Sequence, residues 1–131
     1  MQLKASTDYG LRAVLYLACR GGVCSSKAIS EEMSIPRDYL IQLAQPLRRA
    51  NIIEARPGKN GGYSLAKNPS EITLFEVIEA LDEEAKTARL RRDERKSLPM
   101  AEDVRRVYDA ATSSYDAYFG GITIAALLER Q

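Results

Sequence analysis

The sequence has 131 residues, of which 45% are hydrophobic and 28% charged, and this composition is typical of a single globular domain. It contains no histidine, which excludes Ser-His-Asp and Cys-His catalytic sites and every zinc site with a histidine ligand. Two cysteines are too few for the all-cysteine ligand set of a structural zinc or an ordinary iron–sulfur cluster. No constellation for acid–base or nucleophilic catalysis is present, so the chain is not predicted to be an enzyme.

The net charge of +1 hides an uneven distribution along the chain. Residues 1–67 contain 10 basic and 5 acidic side chains, whereas residues 68–131 contain 9 and 13. The first half therefore carries +5 and the second half −4. Such an asymmetry indicates an anionic partner for the basic half.

The sequence predicts a cytoplasmic protein without membrane contact. No stretch of 18 apolar residues is present, and the opening MQLKASTDYG lacks the apolar core of a signal peptide. Cys19 and Cys24 are therefore expected to be reduced thiols. Cys19 lies on the apolar stripe of the first predicted helix and is expected to be buried, whereas Cys24 is expected to be more exposed.

The first half of the chain predicts three helices. Ser6 or Thr7 is expected to cap the first helix, and Ser25 or Ser26 the second. Pro36 suits the first position of the third helix, where its missing N–H costs nothing. A short helix, a three-residue turn and a helix with a polar outer face form a helix-turn-helix.

The outer face of the third helix combines side chains that bind base edges with side chains that bind phosphates. Its members are Arg37, Asp38, Ile41, Gln42, Gln45, Arg48 and Arg49. The alternative is an ordinary solvated helix face. Pro46 predicts a kink or a tightened last turn, and Asn51 suits a left-handed C-terminal cap.

A two-stranded ribbon is predicted after the third helix. Residues 52–56 and 63–66 have strand character, and the segment 57–62 between them is rich in turn residues. A hairpin with a glycine-rich basic tip directly after a helix-turn-helix is a wing, in which Lys59 can neutralise a phosphate. A nucleotide-binding loop is the rival interpretation, but neither common phosphate-loop motif is present.

The second half predicts a capped helix at Thr73, a charged segment over residues 83–97, a long helix after Pro99 and a last helix capped by Thr123. Apolar residues recur along the long helix at steps of three and four, which is typical of a helix–helix seam. The residues predicted to form a dimer interface are Met100, Val104, Val107, Tyr108, Ala111, Tyr115 and Tyr118. A second copy of the chain is the natural cover for a helix about 30 Å long. Packing on its own domain is the alternative.

Three stretches together resemble the Rrf2 family of bacterial winged-helix transcription regulators, which includes the IscR, NsrR and CymR types. Residues 6–13 (STDYGLRA) resemble the opening signature of that family, residues 35–48 its recognition helix, and residues 58–66 (GKNGGYSLA) its wing. The resemblance implies a mainly α fold with a small two-stranded β wing and a long C-terminal dimerisation helix. It implies a homodimer whose recognition helices enter successive major grooves of double-stranded DNA, at a near-palindromic operator.

The resemblance also assigns roles to individual residues. Asp38, Ile41 and Gln42 are expected to face bases. The residues expected to contact the DNA backbone or the minor groove are Lys4, Ser25, Lys27, Arg37, Arg56, Lys59 and Asn60.

The chain departs from the family at its cofactor. Many members hold an iron–sulfur cluster on three cysteines that follow the fourth helix, but no cysteine follows Cys24 here. Asp8 matches a position that supplies a carboxylate to the cluster in some relatives, and it cannot hold a cluster alone. We therefore expect a member that binds no cofactor and no metal.

These observations predict a homodimeric DNA-binding regulator that acts as a repressor. Residues 1–82 are expected to form the DNA-binding domain, residues 83–98 a charged loop, and residues 99–131 the dimerisation and C-terminal helices. The alternative is a regulatory module that docks on a metabolic enzyme, with residues 83–97 as the surface for this protein partner.

Overall fold

The computed structural model describes residues 3–84, 86–87 and 102–130. Its helices are α1 (Ala5–Arg20), α2 (Ser26–Met33), α3 (Arg37–Arg49), α4 (Leu74–Leu81), α5 (Glu102–Gly120) and α6 (Ile124–Glu129). Strands β1 (Ile53–Arg56) and β2 (Gly62–Leu65) form one antiparallel hairpin, and a short 3₁₀ turn covers Pro69–Glu71. Within the described residues, no helix is long and apolar enough to cross a membrane.

Helices α1, α2 and α3 pack against one another and form the predicted helix-turn-helix. Ser25 caps α2, because its hydroxyl accepts a hydrogen bond from the backbone N–H of Ala28 at 3.1 Å. The turn between α2 and α3 contains Ser34 in the left-handed conformation. The buried side chains of the three helices share one core, which fixes the orientation of α3. Its members here are Ala13, Val14, Tyr16, Leu17, Ile29, Leu40, Leu43, Ala44 and Leu47.

The end of α3 leads directly into the wing. The helix continues past Pro46 to Arg49, and the carbonyl of Pro46 still accepts a hydrogen bond from the backbone N–H of Ala50. Asn51 then takes a φ of 60°, which is the left-handed conformation that the sequence predicts. This reversal places the buried side chains of Ile52 and Ile53 in the core.

The wing is joined to the helix-turn-helix through its second strand. In the β1–β2 hairpin Ile53 lies opposite Leu65 and Arg56 opposite Gly62. Tyr63 also exchanges two backbone hydrogen bonds, of 2.8 and 2.9 Å, with Cys24 just before α2. The position of the wing is therefore fixed by backbone pairing on both sides of β2.

Thr73 and Thr123 cap α4 and α6, as the sequence predicts. Their hydroxyls accept hydrogen bonds from the backbone N–H groups of Glu76 and Ala126, each at 3.1 Å. The two threonines also face each other in an isolated antiparallel bridge. This bridge holds α6 against the segment before α4, and Ile124 is fully buried there.

Helix α5 differs from the other long helices because none of its 19 residues is buried. Four of its large apolar side chains are 55–72% exposed: Val104, Val107, Tyr108 and Tyr118. Tyr115 is half-buried, and the desolvation this causes raises the pKa of its phenol. Met100, the first residue of the predicted seam, lies outside the described residues, as does most of the charged segment 83–98.

Two predictions about α1 are wrong. The helix begins at Ala5, so its N-cap is Lys4 and not Ser6 or Thr7, and the Thr7 side chain is buried within the helix. Cys19 is exposed and Cys24 is half-buried, the reverse of the predicted order. The reason is tertiary, because the backbone pairing with Tyr63 draws Cys24 inward.

Candidate nucleic-acid interface

The exposed side chains of α2, α3 and the wing make up a set that we call the recognition surface. Its members are Ser25, Lys27, Arg37, Asp38, Ile41, Gln42, Gln45, Arg48, Arg49, Arg56, Lys59 and Asn60. The elements that carry them are adjacent, since α2 packs on α3 and α3 packs on β1. The fold therefore brings together most of the residues that the sequence assigns to DNA contact.

At the start of α2, Ser25 and Lys27 are both exposed. The Ser25 hydroxyl accepts the capping hydrogen bond from Ala28, which leaves its proton free to be donated to another oxygen. The helix N-terminus adds a positive partial charge. A hydroxyl donor, an ammonium group and a helix N-terminus at one place are suited to a phosphate.

In α3 the residues alternate between core and solvent at helical spacing. Leu40, Leu43, Ala44 and Leu47 are buried, so the residues between them point away from the core. Asp38, Ile41, Gln42 and Gln45 follow one another at steps of three, one and three, and all are exposed. One face of α3 therefore presents hydrogen-bonding groups and one apolar side chain to solvent.

The tip of the wing is formed by backbone geometry that needs glycine. Gly58 has a φ of 102°, and a Cβ at Gly61 would collide with the carbonyl of Arg56. These constraints close the turn and leave Lys59 and Asn60 exposed at its end. A basic side chain and an amide therefore extend beyond the body of the domain.

The basic side chains of the recognition surface differ from several other described basic side chains in whether they form intramolecular ion pairs. Within the described part of the chain, no intramolecular ion pair involves Lys27, Arg37, Arg48, Arg49, Arg56 or Lys59. By contrast, Arg12 binds Asp8 at 2.8 Å, and Lys67 binds Glu76 at 2.9 Å. Unneutralised cations at one end of a domain create a local positive field that attracts a polyanion.

Lys4 belongs to the paired group, unlike the other cations that the sequence assigns to DNA contact. Its Nζ lies 3.1 Å from an Asp82 carboxylate oxygen and 2.9 Å from a Glu84 oxygen. The two carboxylates raise the pKa of the ammonium group, with the Glu84 hydrogen bond as the largest cause. A phosphate at Lys4 would compete with two anions of the same chain.

The roles that the family resemblance assigns do not include Gln45, Arg48 and Arg49, which the sequence places only on the outer face of α3. A groove of about 750 Å³ lies between the end of α3 and β1, and these three residues line it with Ile53 and Glu54. Their outward position on α3 is visible in the sequence. Their proximity to the wing is not, because it depends on how the reversal at Asn51 turns β1 back along the helix.

Three packed helices followed by a two-stranded wing define a winged helix-turn-helix protein, a class that binds DNA. A family model described as "Rrf2: Iron-dependent Transcriptional regulator" matches residues 3–130. The chain therefore belongs to the Rrf2 family, whose members are transcriptional regulators and not enzymes.

Individual relatives agree with this assignment. The HTH-type transcriptional regulator slr0846 of Synechocystis sp. is 42% identical over 85 residues, which are 63% of this chain and 58% of that protein. The chain thus spans little more than half the length of this curated relative.

Solved structures match nearly the whole chain. IscR of T. potens is 26% identical with a TM-score of 0.78, over 99% of this chain and 88% of that one. The oxidized form of CymR from Staphylococcus aureus is 26% identical with a TM-score of 0.74, over 98% and 97% of the two chains. CymR of B. subtilis, at 23% identity, a TM-score of 0.78 and coverage of 100% and 98%, supports the fold alone.

The residues of this chain do not fit a metal cluster held by three cysteines. The sequence has no histidine and only Cys19 and Cys24, both before the wing. In the structure the backbone of Cys24 is paired with Tyr63, and burial raises the pKa of its thiol, which disfavours the thiolate that a metal requires. The Asp8 carboxylate is already bound by Arg12. We therefore assign no role to iron in this chain.

Proposed function

We propose that this protein is a homodimeric, sequence-specific DNA-binding repressor that recognises a near-palindromic operator without an iron–sulfur cluster. The observation that carries the proposal is that the cations of the recognition surface form no ion pair with the residues that the structure describes. Because DNA displays one phosphate charge per about 1.7 Å of helix axis, ionic contacts supply much of the affinity. Membership of a family of transcriptional regulators supports the same partner.

In this proposal the two halves of the chain have separate tasks. Residues 1–82 bind DNA, with Asp38, Ile41 and Gln42 in the major groove and the wing tip on the flanking minor groove. Lys27, Arg37, Arg56 and Lys59 contact phosphates or the minor groove. Ser25 adds a hydroxyl donor, and Asn60 adds an amide.

Helix α5 and its neighbours in residues 99–131 supply the dimer interface. The described residues of the predicted seam include Val107 and Tyr108, which are 70% and 72% exposed, and α5 buries none of its own side chains. An apolar row left open on a 19-residue helix is suited to a second copy of the same helix. A two-fold dimer presents two identical recognition helices, and each of them reads one half-site of the operator. Because the half-sites are related by the same two-fold symmetry, the operator is expected to be near-palindromic.

The ionic part of the proposal is tested by the salt dependence of operator binding, after the operator has been selected from random duplex DNA. In Lys59→Ala the slope of log Kd against log salt should become shallower by about one unit, since one phosphate contact is lost. Lys86→Ala removes the same charge from an exposed position outside the recognition surface, and it should leave the slope unchanged. Equal slopes for wild type and Lys59→Ala would contradict contact between the wing and DNA.

No observation favours the alternative of a module that docks on an enzyme. Its proposed surface lies in residues 83–97, most of which are outside the described residues.

A further inference from the structure

On the exposed face of α3, one side chain is apolar whereas its exposed neighbours are polar. Every residue of α3 is described, and Ile41 is the one large apolar side chain in the helix that is exposed, at 43%. Asp38 lies one turn before it, Gln42 next to it and Gln45 one turn after it, and all three are exposed. Those three side chains make no intramolecular hydrogen bond within the described residues, so they are available to an external partner.

Within the described residues, the apolar side chain of Ile41 has no place in the hydrophobic core. The core side of α3 is occupied by Leu40, Leu43 and Leu47, and Ile41 belongs neither to the core nor to the partly buried side chains packed against it. It cannot form hydrogen bonds to bases or phosphates. If it contributes to binding, it must do so by covering an apolar group.

The major groove of DNA offers one prominent apolar group at its base edges, the 5-methyl group of thymine. The other edge groups are hydrogen-bond donors and acceptors, which suit Asp38, Gln42 and Gln45. We propose that Ile41 is a specificity-determining residue that packs on a thymine methyl in each half-site of the operator. This proposal rests on the proposed function. An isoleucine at this position rejects cytosine, because an apolar side chain would leave the cytosine amino group without a partner.

The experiment uses the full chain and an operator selected from random duplex DNA. Each thymine of a half-site is replaced in turn by deoxyuridine, which keeps every hydrogen-bonding group and removes only the methyl. At the contacted position wild type should bind about fourfold more weakly, and roughly fifteenfold more weakly when both half-sites are changed. Ile41→Ala should bind the thymine and deoxyuridine operators equally. Gln42→Ala is the matched control, and it should keep the wild-type response to deoxyuridine.

The Ile41 substitution is on an exposed helix position, and alanine is a good helix former, so the variant should fold. If no deoxyuridine position weakens wild-type binding, or if Ile41→Ala responds as wild type does, Ile41 does not read a thymine methyl. Either result leaves the proposed function standing so long as the selected operator is preferred over random DNA. If selection yields no preferred sequence, the proposed function fails as well.

Discussion

At the scale of single residues, Gly62 connects the wing to the helix-turn-helix. Its φ is 153°, which L side chains rarely adopt, and a Cβ there would collide with the carbonyl of Cys24. That carbonyl is the acceptor for the N–H of Tyr63, so the close approach belongs to the pairing that fixes the wing. The glycine-rich segment 57–62 thus serves both the turn and this contact.

Gly62→Ala should lower the free energy of unfolding by at least ~2 kcal/mol, since the backbone at Cys24 must move. Gly22→Ala is the matched control: Gly22 also has a positive φ, 64°, but its Cβ would meet open space. The control should cost only about 1–2 kcal/mol from backbone strain. Urea unfolding of both variants at one protein concentration measures the difference. Equal losses would show that the contact with Cys24 is unimportant.

The burial of the two cysteine thiols is not predicted correctly by residue type and helical spacing. Cys19 lies on a stripe that predicts burial, yet it is exposed, while Cys24 is half-buried. Burial raises the pKa of the Cys24 thiol, against a smaller opposing effect of Arg20. Burial and the raised pKa both make the Cys24 thiol less reactive at neutral pH than a fully exposed thiol.

At the scale of elements, α1 and α2 are joined by a polar contact as well as by the core. Arg20 donates a 2.8 Å hydrogen bond to the Glu32 carboxylate and lies over the Tyr16 ring at 5.4 Å. The pKa of Glu32 is lowered, first by the Arg20 hydrogen bond and then by a hydrogen bond from Tyr16. The contact links the last turn of α1 with the last turn of α2 and so supports the helix that precedes α3.

This contact predicts part of the acid sensitivity of the fold. Because the folded-state pKa of Glu32 is lowered, its contribution to stability is complete above the ordinary glutamate value of about 4.3 and is lost as the pH falls through the lower folded-state value. Glu32→Gln should therefore lose less stability than wild type between neutral pH and the acid range, measured by urea unfolding across pH. Glu31→Gln, an exposed neighbour without an ion pair among the described residues, should behave as wild type. Identical pH profiles for Glu32→Gln and wild type would contradict the assignment.

At the scale of the whole molecule, the chain has a well-packed amino-terminal half and an open helix beyond it. The core is built from α1 to α4, the wing and Ile124 of α6. Helix α5 contacts α4, and aromatic contacts join Phe119 to Tyr115 and Tyr118, but its apolar row from Val104 to Tyr118 faces outward. A monomer would leave this row in water.

Val107→Glu should convert a dimer to a monomer, because it places a charge in the apolar interface without a partner. Light scattering should give twice the 14.6 kDa chain mass for wild type and a single chain mass for the variant. Ser113→Glu, exposed on the opposite face of α5, should stay dimeric. Loss of the dimer should also weaken operator binding, since each half-site is then bound separately. A monomeric wild type, or a dimeric Val107→Glu, would contradict the proposed interface.

Local signals in the sequence were sufficient for the existence of the helices, for the wing and for the caps of α2, α4 and α6, but they misplaced the start of α1. Ser25, Thr73 and Thr123 cap helices as predicted, and Asn51 takes the left-handed conformation, because each depends on groups within a few residues. The exposed face of α3 follows from helical spacing alone.

What the sequence determined by itself was the fold class, which follows from periodicity and turn residues, and most of the candidate DNA-contacting residues, which the resemblance to the Rrf2 family assigns. The tertiary structure decided which cations form ion pairs among the described residues. It shows Lys4 held by Asp82 and Glu84, 78 and 80 residues away, and it places Arg48 and Arg49 beside the wing. It also decided that Cys24, and not Cys19, is drawn inward. The physical reason is that ion pairing and burial depend on neighbours that are distant along the chain, whereas helix caps and turns do not.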